Sequence, residues 1–270
     1  MSAATRLRRT AVALALFVAV AAPVALVVRV AQAAQDDPVV TYVPTPEAVV
    51  EGMLDMAAVR SGERLVDLGS GDGRIAIAAA KRGAQALGVE INPRLVSRAR
   101  MNAEMAGQKD NARFVRDDLF AVSLRDADVI TLYLLPQINE KLRPKLLTEM
   151  RPGARVVSHA FDMGDWPPDD HQRIADKNVY LWTIPAVAGG RWRLVRGDGT
   201  GAVLDIEQRY GRVSGTLGGA AIEQARLKGD RLSFVAGGVV YRGRIGDRTI
   251  LPDADTAPDS ASGWIAERID

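Results

Sequence analysis

The residues with the most chemistry in them lie between Asp67 and Asp118. The stretch "DLGSGDG" sets Asp67 two residues before Gly69, with Gly71 and Gly73 at alternate positions and Asp72 between them. Glycines let backbone come close to a ligand with no Cβ in the way. A pyrophosphate is a poor occupant, because nucleotide loops offer N–H groups and positive dipole to anions, and this loop carries carboxylates. Its G-x-G-x-G spacing also differs from the G-x-G-x-x-G of dinucleotide loops. Glu90 closes the next apolar run, at about the separation from which a carboxylate accepts both hydroxyls of a ribose. Asp118, in "FVRDDLF", could accept an adenine amino group, with neighbouring Asp117 as an alternative. Carboxylates around a nucleoside with no phosphate imply a cationic nucleoside. S-adenosylmethionine, with a sulfonium and an ammonium group, fits that description.

Such a site needs strand ends and glycine turns to hold it. The periodicity predicts strands over Arg64–Leu68, Ala86–Glu90, Ala112–Val115, Asp128–Tyr133 and Arg155–Ser158. Helices are predicted over Arg74–Arg82 and Pro93–Ala106, with helical sequence between the last two strands. Another helix starts near Thr45 and Pro46, which suit its N-cap and first position. This alternation predicts an α/β fold, a doubly wound and mostly parallel sheet with helices on both faces. "NVYLWTI" and "RWRLV" read as antiparallel edge strands of that sheet, and "DWPPDD" (Asp165 to Asp170) as a solvated loop. From Ala202 onward short alternating segments separated by glycines predict a C-terminal antiparallel β meander. Three regions follow: residues 1–34, a donor-binding domain over 36–187, and a small β domain over 188–270.

The 270-residue chain has no cysteine, which excludes disulfides, thiolate metal sites and cysteine nucleophiles. Arg6, Arg8, Arg9 and Arg29 precede the first acid; without them, basic residues number 31 against 33 acidic. That balance argues against a general affinity for nucleic acid, which needs a basic surface. "MSAATRLRRT" followed by "AVALALFVAVAAPVALVV" (Ala11 to Val28) and "AQA" (Ala31 to Ala33) has the form of a signal peptide or an uncleaved membrane anchor. Arginines on its amino side predict export or anchoring at the inner membrane, with the rest of the chain across it, although a cytosolic position stays open.

"YVPTPEAVVEGML", "DLGSGDGRIAIAAAKRGAQALGVEINPRLV" and "DVITLYLLP" resemble class I S-adenosylmethionine-dependent methyltransferases. More narrowly, they are similar to a small family of protein-lysine methyltransferases. Its mitochondrial members carry a membrane-associated N-terminal segment and modify the ATP synthase c-subunit and the adenine nucleotide carrier. The likeness spans roughly Thr41 to Pro168. It implies that Asp67, Gly69, Gly71 and Glu90 hold the donor, that Tyr42 to Pro46, including Thr45, fold over it as a lid, and that the acceptor is a protein.

The segment after the fourth strand usually places the acceptor. Methyltransferases that act on amide or adenine amino groups carry Asn/Asp-Pro-Pro-Tyr there. This chain reads Tyr133-Leu134-Leu135-Pro136, with no amide or acid to hold a planar NH2. Leu134 and Leu135 could instead form an apolar sleeve whose carbonyls orient an aliphatic amine, desolvation there lowering a lysine pKa. Tyr133 is the one polar side chain beside it, either catalytic or a core aromatic. His159 and His171 are the only histidines; His159 could act as a base or be structural. No metal-ligand cluster is visible. Three functions stay open: methylation of a protein lysine, methylation of a small amine, and an exported binding protein that keeps the fold without turnover.

Overall fold

Four consecutive buried residues, Leu65 to Leu68, form the heart of β1 (Arg64–Leu68), as a strand covered on both faces requires. The computed structural model describes residues 42–253, 261 and 263–269. The apolar segment from Ala11 to Val28 lies outside them, and no helix among the described residues is long and apolar enough to cross a membrane. β1 pairs in parallel with β2 (Gln85–Glu90) and β4 (Val129–Leu132). β3 (Ala112–Arg116) and β5 (Arg155–His159) extend the sheet in parallel on either side. β6 (Asp170–Ile174) and β7 (Lys177–Thr183) close it antiparallel, giving the order β3-β2-β1-β4-β5-β7-β6. The strand order reverses between β1 and β4, and in such sheets the crevice at the carboxyl ends is where ligands bind.

Alternation along the strands builds two cores. Leu65, Val129, Val157 and Val179 face α1 (Glu47–Met56), α2 (Arg74–Lys81) and α3 (Pro93–Met105). Val66, Leu68, Ile130, Leu132 and Trp182 face the other way, with Leu142 and Leu146 of α4 (Pro136–Glu149). α1 starts at Glu47 with Pro46 as its N-cap, and no side chain caps it. The expected Thr45 cap is absent because its hydroxyl is hydrogen-bonded to His159.

β8 (Gly190–Val195), which contains "RWRLV", does not extend this sheet as expected. It begins a second, wholly antiparallel one with β9 (Gly201–Arg209), β10 (Arg212–Leu217), β11 (Ala220–Ala221), β12 (Glu223–Lys228), β13 (Arg231–Ala236), β14 (Val239–Ile245), β15 (Thr249–Pro252) and β16 (Ile265–Arg268). The order is β11-β10-β9-β8-β16-β15-β14-β13-β12. Its two ends are joined through Ile222, which is buried in the interior and donates its N–H to Gly215, so the sheet is nearly a barrel. Trp192, Phe234, Tyr241 and Trp264 are fully buried and fill it. Gly215 has φ +155°, and a Cβ there would lie 1.9 Å from the Asp205 carbonyl oxygen, so only glycine lets β9 and β10 approach.

Asp165 is exposed in a turn, as a solvated loop predicts, and it also links the two sheets. It accepts from Arg209 and from the Tyr210 hydroxyl and pairs with Arg143, while Trp166 is buried and stacked on Tyr210 at 5.7 Å. Residues beyond Asp169 form β6, whose largely exposed side chains leave no apolar run to signal a strand.

Candidate active site

The glycine loop leaves β1 at its carboxyl end. Gly69, Gly71 and Gly73 have φ of +77°, +55° and +84°, a region costly for residues with a Cβ. Space is short as well: a Cβ at Gly73 would lie 2.6 Å from Phe114 Cζ, and one at Gly69 would lie 2.7 Å from Leu134 Cδ2. The Gly69 and Ser70 N–H groups donate to the Val89 carbonyl, which presses the loop onto β2. Leu134 therefore lies over the loop at its first glycine.

Asp67 is 2 % exposed. Its Oδ1 accepts from the Thr131 hydroxyl at 2.7 Å, and its Oδ2 has no hydrogen-bond partner among the described residues. Burial, aided by the nearby carboxylates of Glu90 and Asp72 and opposed by the Thr131 hydrogen bond, pushes its carboxyl up to about 7. A buried acceptor without a partner is costly, and a ligand cation would supply what it lacks. Asp72 behaves otherwise. Arg74 takes its carboxylate with Nη2 at 2.7 Å and Nε at 3.0 Å. Asp72 is therefore ion-paired, whereas Asp67 and Glu90 have no ion-pair partner among the described residues.

Glu90 ends β2 half-buried. Oε2 accepts from the Gly71 N–H at 3.0 Å and Oε1 from the Asn92 N–H at 2.9 Å, which fixes the carboxylate and leaves each oxygen one lone pair for a ribose hydroxyl. Ile91, next in sequence, is 67 % exposed, an apolar side chain beside Glu90 that periodicity gives no reason to select. Asp118 is exposed after β3, with Oδ1 holding the Phe120 N–H; Asp117 holds the Asp118 N–H and donates its own to the Glu90 carbonyl. Carboxylates thus stand at the carboxyl ends of β1, β2 and β3, and aromatic side chains take their place beyond β4 and β5.

On that side Tyr133 follows β4 and His159 ends β5, their rings 3.9 Å apart and tilted by 32°, with Phe161 6.4 Å from Tyr133. His159 is 1 % exposed; burial, and then the charge of Lys177, lowers its basicity to about 4, so the ring is neutral. Thr45 bonds its Nδ1 at 3.1 Å and accepts at its carbonyl from Arg74 Nη1. Tyr42 is half-buried in the separate N-terminal unit. Leu135 departs from expectation: its side chain is 50 % exposed, and its carbonyl accepts from the Ile138 and Asn139 N–H groups at the start of α4. That carbonyl is committed to the helix that Pro136 begins, so it cannot orient an amine. Sequence reading missed Arg74 and Thr131, because only the register that sets Thr131 opposite Asp67 reveals the hydroxyl's role.

Residues 67–170 match the family model described as the ANTKMT methyltransferase domain. A protein-lysine N-methyltransferase of Saccharolobus islandicus (strain REY15A) is 44 % identical over 153 residues, which is 54 % of this chain and 95 % of that protein. The chain belongs to the protein-lysine N-methyltransferase family of that relative. The adenine nucleotide translocase lysine N-methyltransferase of Mus musculus is 43 % identical over 130 residues, and the match spans 48 % of this chain and only 56 % of that relative. A crystal structure described as an RNA methyltransferase from Salinibacter ruber, in complex with S-adenosyl-L-homocysteine, is 52 % identical, covers 53 % of this chain and 94 % of that one, and superposes with a TM-score of 0.52. The ANTKMT-type fold and the glycine, Asp67 and Glu90 geometry agree, and the protein is an S-adenosylmethionine-dependent methyltransferase.

Proposed function

We propose that the protein methylates the side-chain amine of a protein lysine, and does so at a membrane. The observation that carries the acceptor is the wall beyond β4: Tyr133 and Leu134, with no amide or acid there to clamp a planar amino group. The lysine N-methyltransferase names of the relatives support the same reading. When bound, S-adenosylmethionine supplies an electrophilic methyl group on its sulfonium. Asp67 Oδ2 takes a donor cation, Glu90 the ribose hydroxyls and Asp118 the adenine amino group. The glycine loop excludes side chains from the donor, and the apolar surface of Leu134, packed over Gly69, desolvates the approaching amine so that it attacks as a free base. The membrane part rests on the sequence from Met1 to Ala33.

The test is to incubate the full chain and radiolabelled donor with membranes from a strain lacking the gene, and then to hydrolyse the labelled material. Label in methylated lysines is the expected result. Label confined to RNA would favour the RNA methyltransferase activity ascribed to the Salinibacter protein, and label confined to small molecules would favour the small-amine reading; either overturns the proposal.

A further inference from the structure

His159 has two ring nitrogens and one visible partner. Nδ1 is bonded to the Thr45 hydroxyl, while Nε2 is buried and has no hydrogen-bond partner among the described residues. Registers place the ring. Asp67 pairs with Thr131, Thr131 with Val157, and His159 lies two residues beyond Val157 on the same face. His159 is thus two strand spacings of about 4.8 Å from the orphaned Asp67 oxygen and one row closer to the carboxyl edge, on the acceptor side. The ring is held there by Tyr133, tilted against it at 3.9 Å, and by Thr45, whose carbonyl is in turn held by Arg74 at the start of α2.

Resting on the lysine reading above, we infer that His159 is a catalytic residue for the amine, its Nε2 accepting one amine N–H and so aiming the nitrogen lone pair at the donor methyl. In this tautomer Nδ1–H donates to the Thr45 oxygen and Nε2 carries the lone pair. The ring removes no proton: a group this weakly basic does not deprotonate an alkylammonium, which loses its proton to solvent before binding. In each transfer the amine lone pair forms the N–C bond and the C–S bond breaks with its electron pair on sulfur; after the first two the new ammonium releases a proton to solvent, whereas a third yields a quaternary ammonium that has none to lose. A primary or secondary amine has an N–H to give Nε2. A neutral dimethylated amine has none. His159 therefore assists the first two transfers and not a third.

The experiment compares wild type, His159→Leu and His159→Gln on two acceptors: native membranes from the deletion strain, and the same membranes reductively dimethylated so that their lysines are tertiary amines. Donor affinity, followed by calorimetry, reports on folding. His159→Leu should bind donor as wild type does, label native membranes about tenfold more slowly, and label dimethylated membranes within twofold of wild type. His159→Gln, with a polar atom near the Nε2 position, should recover much of the native rate. A wild type that labels only native membranes also supports the N–H requirement. Equal loss on both acceptors assigns a structural role and overturns the inference, as does an unaffected rate on native membranes. If wild type labels no lysine at all, the lysine reading itself has failed.

Discussion

Replacing Asp67 with Asn separates what the donor site costs from what it does. The folded protein holds this carboxyl near 7 against an ordinary 3.8, chiefly through burial. A raised acid favours the folded state fully below pH 3.8, and that contribution is lost as the pH rises toward 7. At 1.36 kcal/mol per pH unit, the gap amounts to about 4 kcal/mol of destabilisation above pH 7 without donor. Asparagine keeps an oxygen for the Thr131 hydroxyl but buries an N–H where Oδ2 was, at a cost of about 1–3 kcal/mol. Asp67→Asn should therefore be no more stable than wild type at pH 4 and about 1–3 kcal/mol more stable at pH 8. The difference between them should grow by up to about 1.4 kcal/mol per pH unit in between. The same variant should bind S-adenosylmethionine about 10- to 150-fold more weakly, the loss of a hydrogen bond to a charged group. Denaturant melts from pH 4 to 8 measure the first effect. Calorimetry at pH 6 in buffers of different ionisation enthalpy measures the second, with wild type releasing close to one proton on binding. Parallel pH–stability curves for the two proteins, or binding without proton release, would refute the account.

Glu90→Ala should cost about 1.5–3 kcal/mol of donor affinity by calorimetry, with a further effect on loop order because Gly71 and Asn92 lose their acceptor. A chain cut after Gly189 should retain donor binding and a cooperative melt, whereas one cut after Asp198 should aggregate, because β8 would expose Trp192 and Leu194; equal behaviour of the two would misplace the boundary. We further propose that the carboxyl side lies across the membrane, so a C-terminal alkaline phosphatase fusion should be active, and an inactive one returns the enzyme to the cytosol.

The donor half was legible because its signals are local. Glycine turns punctuate short apolar runs, and each acid stands at the end of a strand that periodicity already delimits. Strands β1 to β5 were expected within about two residues of where they form. What escaped notice depends on contacts distant in sequence. The Thr131 hydroxyl matters only because β4 lies beside β1, and Arg74 only because its guanidinium reaches back to Asp72 and across to Thr45. β6 has no apolar alternation to read, since its side chains are largely exposed. β8 alternates as an edge strand should, and nothing in its own residues says which sheet it joins. Leu135 looked like acceptor wall from its type alone, but the helix it starts claims its carbonyl and turns the side chain outward.

The pairing of β8 governs the order in which the molecule can be assembled. Every strand of the first sheet has its neighbours by Thr183, within a continuous stretch of chain. β8 is flanked by β9, close in sequence, and by β16, where Trp192 meets Arg268. The second sheet cannot close around Trp192 and Trp264 until that distant strand arrives, and closing so long a loop is slow relative to local pairing. The donor-binding half can thus be complete while the barrel is still open. Its Trp192 surface is the one most exposed to misassembly in the interval.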